Sequence, residues 1–274
     1  MEVMIIIGIV LIGLGVYFFF ARKKSQLTLF NIKATQTFKT KDIVDLCNAV
    51  KEDIGPGCFN KVLEVKGIIK CDNPLVGELS KQKCVYYSMK VTHEYEETYT
   101  VRNSQGRSER RTIRGSEVIS SNTQSIHFYV EDDTGSILIN PSNASLHTIK
   151  AVDRFETSSG SNTGTIQFGQ FSFNVPSRSS GRRTLGYRYV EEIIPVERRV
   201  YVLGEASDST GELMLQLPSD KKESFIVSLK SEEELIKATE GSIVLYLVGA
   251  IIAIIIGIAL IVYGTTLPSG SGFD

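Results

Sequence analysis

Asp133-Thr134-Gly135, followed by Ser136, is the segment of this 274-residue chain whose residue types come closest to catalytic chemistry. An exposed aspartate on a Thr-Gly turn can work as half of a carboxylate pair that shares one proton, so a single copy requires a homodimer. Val202-Leu203-Gly204 could supply the apolar-apolar-Gly element that accompanies such a pair. Glu131 and Asp132 stand where such sites place apolar residues, and extra carboxylates there would disturb a shared-proton titration. Acidic residues and Gly between two β runs are also what a tight hairpin turn requires. The turn is the favoured reading, with Asp133 kept as a remote catalytic candidate.

No other pattern points to chemistry. The chain has no Gly-x-x-x-x-Gly-Lys-Ser/Thr loop, no Gly-x-Gly-x-x-Gly turn and no Gly-x-Ser-x-Gly elbow. Cys47, Cys58, Cys71 and Cys84 lie 11, 13 and 13 residues apart, without the close pairs of a zinc site, and are expected to be reduced thiols. His93 falls in register with the apolar face of a strand, and His127 and His147 have no partner pattern. The acids at 131–133 match no calcium loop. Asn143-Ala144-Ser145 is a glycosylation sequon only if it is lumenal. No cofactor and no metal are expected.

Two segments have the composition of contact surfaces. Arg102, Arg107, Arg110, Arg111 and Arg114 surround Asn103-Ser104-Gln105-Gly106, a pattern for a long hairpin tip. Residues 157–183 are rich in Ser, Gly, Thr and Asn and carry Phe168, Phe171 and Phe173. A solvated arm and a flexible loop account for both. Alternatively, the arginines touch anionic headgroups and the phenylalanines dip into the interface or dock a partner.

The elements behind these residues follow from periodicity. Thr40 is an N-cap candidate before Ile43, Leu46, Cys47, Val50 and Ile54, a helix that Gly55-Pro56-Gly57 ends. Val85, Tyr87, Met89, Val91 and Tyr95 alternate with polar residues as in a half-buried strand. Residues 62–69, 126–130, 137–139, 189–194 and 200–204 also read as strands. Ser231-Glu232-Glu233-Glu234 opens a short helix that Gly241 is expected to stop. The middle is thus a mainly antiparallel β (α+β) domain, with closure into a barrel left open.

The whole-chain balance of 30 Lys+Arg and 31 Asp+Glu conceals how the charges are placed. Glu2 and Asp274 are the only charges in 1–21 and 242–274, so the middle is +1 (30 − 29). That excludes a strongly basic nucleic-acid binder and a disordered chain. Residues 1–21 and 243–263 are each long enough to cross a hydrocarbon core of about 30 Å. The expected fold class is therefore a membrane protein, two transmembrane α-helices flanking the β domain of residues 40–240. A basic segment (22–39) and a short polar tail (264–274) complete the order. Six Lys/Arg and no acid in residues 22–41 predict a two-pass protein with a cytoplasmic middle and both termini opposite. Gly249, Ala253 and Gly257 share a helix face that can pack on the first span or on a second copy.

A series of short sequences then carries a resemblance. Leu63-Glu64-Val65-Lys66-Gly67, Cys84-Val85-Tyr86-Tyr87 and Phe128 to Gly135 are followed by Tyr189 to Pro195, Tyr201 to Glu205 and Phe225 to Ser228. In this order, between two spans, they resemble the GIDE (beside-a-membrane) domain of membrane-bound ubiquitin ligases. The resemblance implies a domain that recognises partners while a C-terminal RING recruits the ubiquitin-conjugating enzyme. A RING needs eight Cys/His ligands, and the 11 residues after Tyr263 contain none. The expectation is a RING-less member of the kind seen in prokaryotes. Its function is a membrane-anchored interaction or scaffold domain without catalysis. The alternatives are a ligase-like component acting with a separate catalytic partner and, remotely, a dimeric aspartic protease using Asp133. The expected partners are the lipid bilayer, an unidentified protein and a second copy through the second span, with no nucleic acid.

Overall fold

The computed structural model describes residues 2–102, 106–157, 165–168, 171–174 and 182–266. Two long helices, α1 (Glu2–Ala34) and α3 (Glu232–Thr266), run antiparallel, and between them in sequence lie α2 (Thr40–Asp53) and fourteen strands. The apolar windows of α1 and α3 are only 11% and 17% buried. The core helix of a soluble protein is mostly covered, whereas these present Ile6, Ile9, Val10, Val244, Leu245 and Ile255 outward. Both are long and apolar enough to cross a membrane.

Each helix outlasts its apolar run. α1 continues through Arg22-Lys23-Lys24 to Ala34, so most of the basic segment is helical. α3 starts with the reciprocal capping box expected at Ser231: its N–H donates to Glu234 Oε2 at 3.1 Å, and the Glu234 N–H donates to Ser231 Oγ at 3.3 Å. Gly241 does not stop it, contrary to the expectation from sequence. A mid-helix glycine costs about 1 kcal/mol, too little to break hydrogen bonds where the chain enters a long apolar helix.

Five strands close a barrel. β1 (Asn60–Lys70) pairs with β5 (Phe128–Glu131), which forms a hairpin with β6 (Ser136–Ile139). β6 runs parallel to β13 (Met214–Gln216), and β12 (Arg199–Ser207) joins β13 back to β1. Taken in chain order, the barrel reads 1-2-3-5-4-1 with one parallel pair, a five-stranded Greek-key barrel of OB type. β14 (Ile226–Ser228) extends β12, and β7 (Ser145–His147) runs parallel to β14. Alternate residues of β1, β5, β6 and β12 fill the interior with Leu63, Val65, Val130, Ile137, Ile139 and Val202. Ile43 and Cys47 of α2 join this core.

A second sheet is inserted between the barrel strands. β2 (Leu75–Val76), β3 (Lys83–Arg102) and β4 (Ser108–Ser125) come from the β1–β5 connection. β8 (Ile149–Thr157) and β11 (Arg182–Pro195) come from the connection that leads to β12. They pair antiparallel in the order β4-β3-β11-β8, with β2 beside the start of β3. At about 3.3 Å per residue, the 20 residues of β3 reach about 65 Å. Val85 still belongs to the barrel core, Met89 and Val91 pack on Tyr187 and Tyr189, and from Tyr95 onward no residue of β3 is buried. The 157–183 segment is not loop throughout: β9 (Thr165–Phe168) and β10 (Phe171–Asn174) form a small hairpin.

The helices and the barrel meet at one junction. Ile32 of α1 and Leu235 of α3 pack on the outward-facing Tyr201, Leu203 and Ile226. Asn31 Nδ2 donates to the Lys222 carbonyl at 2.8 Å and to Ser224 Oγ at 3.2 Å. β12 is consequently buried on both faces, Val202 inward and Tyr201 and Leu203 toward the helices.

Candidate functional site

The β5–β6 turn holds the acidic cluster. Asp132 Oδ1 accepts from the Thr134 N–H at 2.7 Å, the Thr134 hydroxyl at 2.6 Å and the Gly135 N–H at 3.1 Å, a self-bonded Asx turn. The same carboxylate accepts from the Thr40 N–H at 2.9 Å and the Thr40 hydroxyl at 2.7 Å. Lys41 N–H donates to Thr134 Oγ1 at 3.2 Å. The turn therefore caps α2. Lys39 occupies the N-cap position without a side-chain cap, and Thr40 is the first helical residue rather than the cap. Burial pushes the Asp132 carboxyl up, but the bonds from Thr134 and Thr40 outweigh it and hold the group well below the usual carboxylate range. Asp133 points outward, its side chain 72% exposed and paired with Lys39. The Asp-Thr-Gly tripeptide thus sits at a turn, and the carboxylate that organises it is Asp132.

Beside this turn a cavity of about 700 Å³ opens between β1, β12 and the start of α3. Lys39, Lys66, Arg199 and Lys230 line it together with Asp133 and Glu232. Beneath it Glu64, 1% exposed, accepts from Tyr201 Oη at 2.7 Å and from the Thr37 hydroxyl. Lys66 Nζ lies 3.1 Å from Glu64 and 2.7 Å from Glu232. Burial, helped by the bond to Glu64, holds the Tyr201 phenol protonated far above its ordinary range. Glu64 has a donor for each oxygen, so this network ties β1, β12, the start of α3 and the segment between α1 and α2 together.

The arginines all lie on the arm formed by β3 and β4. Arg102 ends β3, Arg107 precedes β4, and Arg110, Arg111 and Arg114 are on β4, all exposed. Arg114 Nε pairs with Glu96 at 3.1 Å and Arg111 with Glu109 at 3.5 Å, which partly neutralises the cluster. Residues 103–105 lie outside the described residues. Phe168 and Phe171 face each other in register across the β9–β10 hairpin, with Phe173 two residues on, but their side chains lie outside the description. Among the described strands β4 pairs only with β3, so an edge of 18 residues is open. Ile113 and Val118 stand 48% and 57% exposed on it.

His93 is a satisfied rim histidine. It is buried, stacks on Tyr187 at 5.2 Å, and places Nδ1 3.1 Å from Glu117 and Nε2 3.0 Å from Thr184. All four cysteines are free. Burial pushes the Cys84 thiol up to about 11, an inert state. Among the described residues no His, Cys, Asp or Glu group is arranged to hold a metal.

Gly249, Ala253 and Gly257 face the first helix. A Cβ on Gly249 would lie 3.2 Å from the Phe18 ring, and one on Gly257 would lie 2.8 Å from the Gly8 carbonyl oxygen. Ala253 is 7% exposed. The small-residue face is therefore occupied within the chain.

Sequence reasoning missed Glu64, Glu191 and Asp208. Glu191 is fully buried and accepts the Leu79 and Ser80 N–H groups at 2.8 Å each. Asp208 accepts the Gly57 and Phe59 N–H groups at 3.0 Å each, which lower its carboxyl. A lone acid inside an apolar strand, as in Leu63-Glu64-Val65, is the available signal for Glu64.

Comparison with known proteins shows a family match. The profile of a family described as GIDE, E3 ubiquitin ligase, covers residues 96–263, from the arm through the second apolar helix. No curated protein and no solved structure matches the chain.

Proposed function

The chain belongs to the GIDE family, and from that premise we propose that it is a membrane-anchored interaction module whose arm captures a protein partner. α1 and α3 are the two spans, the β domain faces the cytoplasm, and both termini lie on the other side. The six Lys/Arg and absent acids of residues 22–41 support this orientation. The open β4 edge carries the reading: the outer side of this eighteen-residue strand, beside Ile113 and Val118, can add a strand from a partner. The junction of Ile32, Leu235 and Tyr201 supports it by fixing the barrel that bears the arm relative to the membrane. The protein acts by binding; its alternative role within the family is to present that partner to a separate catalytic subunit of a ubiquitin-ligase-like system.

Crosslinking in native membranes followed by mass spectrometry tests this. A specific protein should crosslink to β3–β4 peptides. Ile113→Lys with Val118→Lys, both at exposed sites, should abolish that crosslink, while Asp133→Asn should leave it intact. A crosslink that survives the double lysine variant overturns the arm assignment. Peptide cleavage by the purified protein that vanishes in Asp133→Asn overturns the binding role.

A further inference from the structure

A second cavity, of about 270 Å³, lies where the helix pair meets the barrel. Lys24 and Thr28 of α1 form one wall, and Lys221 and Lys222 from a loop and His147 from the end of β7 approach over an apolar floor that includes Phe225. Lys24, Lys221 and Lys222 make no ion pair with any described residue. Glu223 is the one acid in the lining. Burial, with a smaller contribution from the Lys230 charge, lowers the His147 pKa.

The level of this cavity singles out what fills it. Lys24 is three residues beyond Ala21, about 5 Å along the helix from the end of the first apolar run. Thr239, which lines the opposite wall, precedes the second run at Ile243 by about 6 Å. The polar layer on each side of a bilayer core is about 5–8 Å thick. Both helices therefore set the mouth of the cavity in the headgroup layer, with three uncompensated ammonium groups above an apolar floor. We propose that this cavity seats the phosphate of an anionic glycerophospholipid from the leaflet facing the β domain. The ammonium groups of Lys24, Lys221 and Lys222 neutralise the phosphodiester, and Phe225 and Leu27 cover the glycerol backbone.

The site is distinct from the partner-binding arm and rests on the helices crossing the bilayer, which is read separately as retention in the carbonate-washed membrane pellet. The test uses the full chain in nonionic detergent, titrated with phosphatidylglycerol, phosphatidylcholine or inorganic phosphate and followed by thermal midpoint and native mass spectrometry. Phosphatidylglycerol should raise the midpoint and remain bound, and phosphatidylcholine should do neither. Lys24→Gln with Lys221→Gln and Lys222→Gln should weaken phosphatidylglycerol binding on the order of a hundredfold, from about fivefold per lysine. Lys81→Gln with Lys83→Gln and Lys90→Gln, exposed lysines outside the cavity, should leave it unchanged. Equal weakening by both triple variants overturns the proposal, as does full retention by the first. Saturation by inorganic phosphate alone, without preference for the lipid, also overturns it.

Discussion

The Asp132 carboxylate accepts the backbone N–H of Thr40 at 2.9 Å and its hydroxyl at 2.7 Å, so a hairpin turn caps a helix 92 residues earlier in the chain. This pair separates the structural from the catalytic reading of the acidic turn. Asp132→Ala removes the cap of α2 and the centre of the Asx turn, and should cost about 1–2 kcal/mol. Asp133→Ala breaks an exposed pair with Lys39 and should stay within about 0.5 kcal/mol. Thermal midpoints of the two variants decide this; equal losses would remove Asp132 from its place as the organiser.

Acid should unfold the protein partly through the same carboxylate. The Asp132 group is depressed in the fold relative to about 3.9 in an unfolded chain. A depressed carboxyl contributes stability that is fully present above the unfolded value and is lost as pH falls toward the folded one. The wild-type midpoint should therefore drop below about pH 4, and Asp132→Asn, lower at neutral pH, should drop less over that interval. Parallel curves for the two proteins would show that Asp132 does not drive the loss.

The elements that sequence exposes best are those whose burial is one-sided. The alternation from Val85 to Tyr95 marks β3 because one face packs on the sheet core and the other meets solvent. β4 escapes the same reading because Ser108 to Ser125 buries almost nothing on either face; its strand state comes from pairing with β3. β13 and β14 are three residues each, too short for a period, and close the barrel through contacts far apart in sequence. Asp133 was legible as a candidate from its tripeptide. The roles of Asp132 and Glu64 were not, because their donors, Thr40 and Tyr201, lie 92 and 137 residues away.

Tyr201→Phe should be costly despite changing one atom. The phenol donates at 2.7 Å to Glu64, which is 1% exposed, and its removal leaves a buried carboxylate oxygen short of a donor. The expected loss is about 1.5–3 kcal/mol, the range for hydrogen bonds to charged groups. Tyr99→Phe, at an exposed arm position, is the control. Denaturant midpoints that move equally for both would take Glu64 and Tyr201 out of the junction.

The packing of α1 on α3 predicts a contrast between two glycines. At Gly257 a Cβ would meet the Gly8 carbonyl oxygen at 2.8 Å and Ile12 at 2.9 Å, whereas nothing lies within 4 Å of one at Gly13. Gly257→Leu should force the helices apart at about 1–3 kcal/mol. Gly13→Leu should leave the thermal midpoint in detergent unchanged or higher. A self-associating face would instead make Gly257→Leu lower the oligomer mass without lowering the midpoint.

Gly241 offers the cleanest check that α3 runs unbroken from the barrel into its apolar segment. It is exposed, inside the helix, with nothing within 4 Å of an added Cβ. Alanine there restricts the unfolded backbone and adds no contact, so Gly241→Ala should stabilise by about 1 kcal/mol. Gly55, at φ +116°, provides the opposite sign: a side chain there is strained, and Gly55→Ala should destabilise. Both are read as shifts of the thermal midpoint of the full chain in one detergent. If α3 ended at Gly241, alanine would gain nothing or would lower the midpoint as at Gly55, and the rigid link between barrel and second apolar helix would be lost with it.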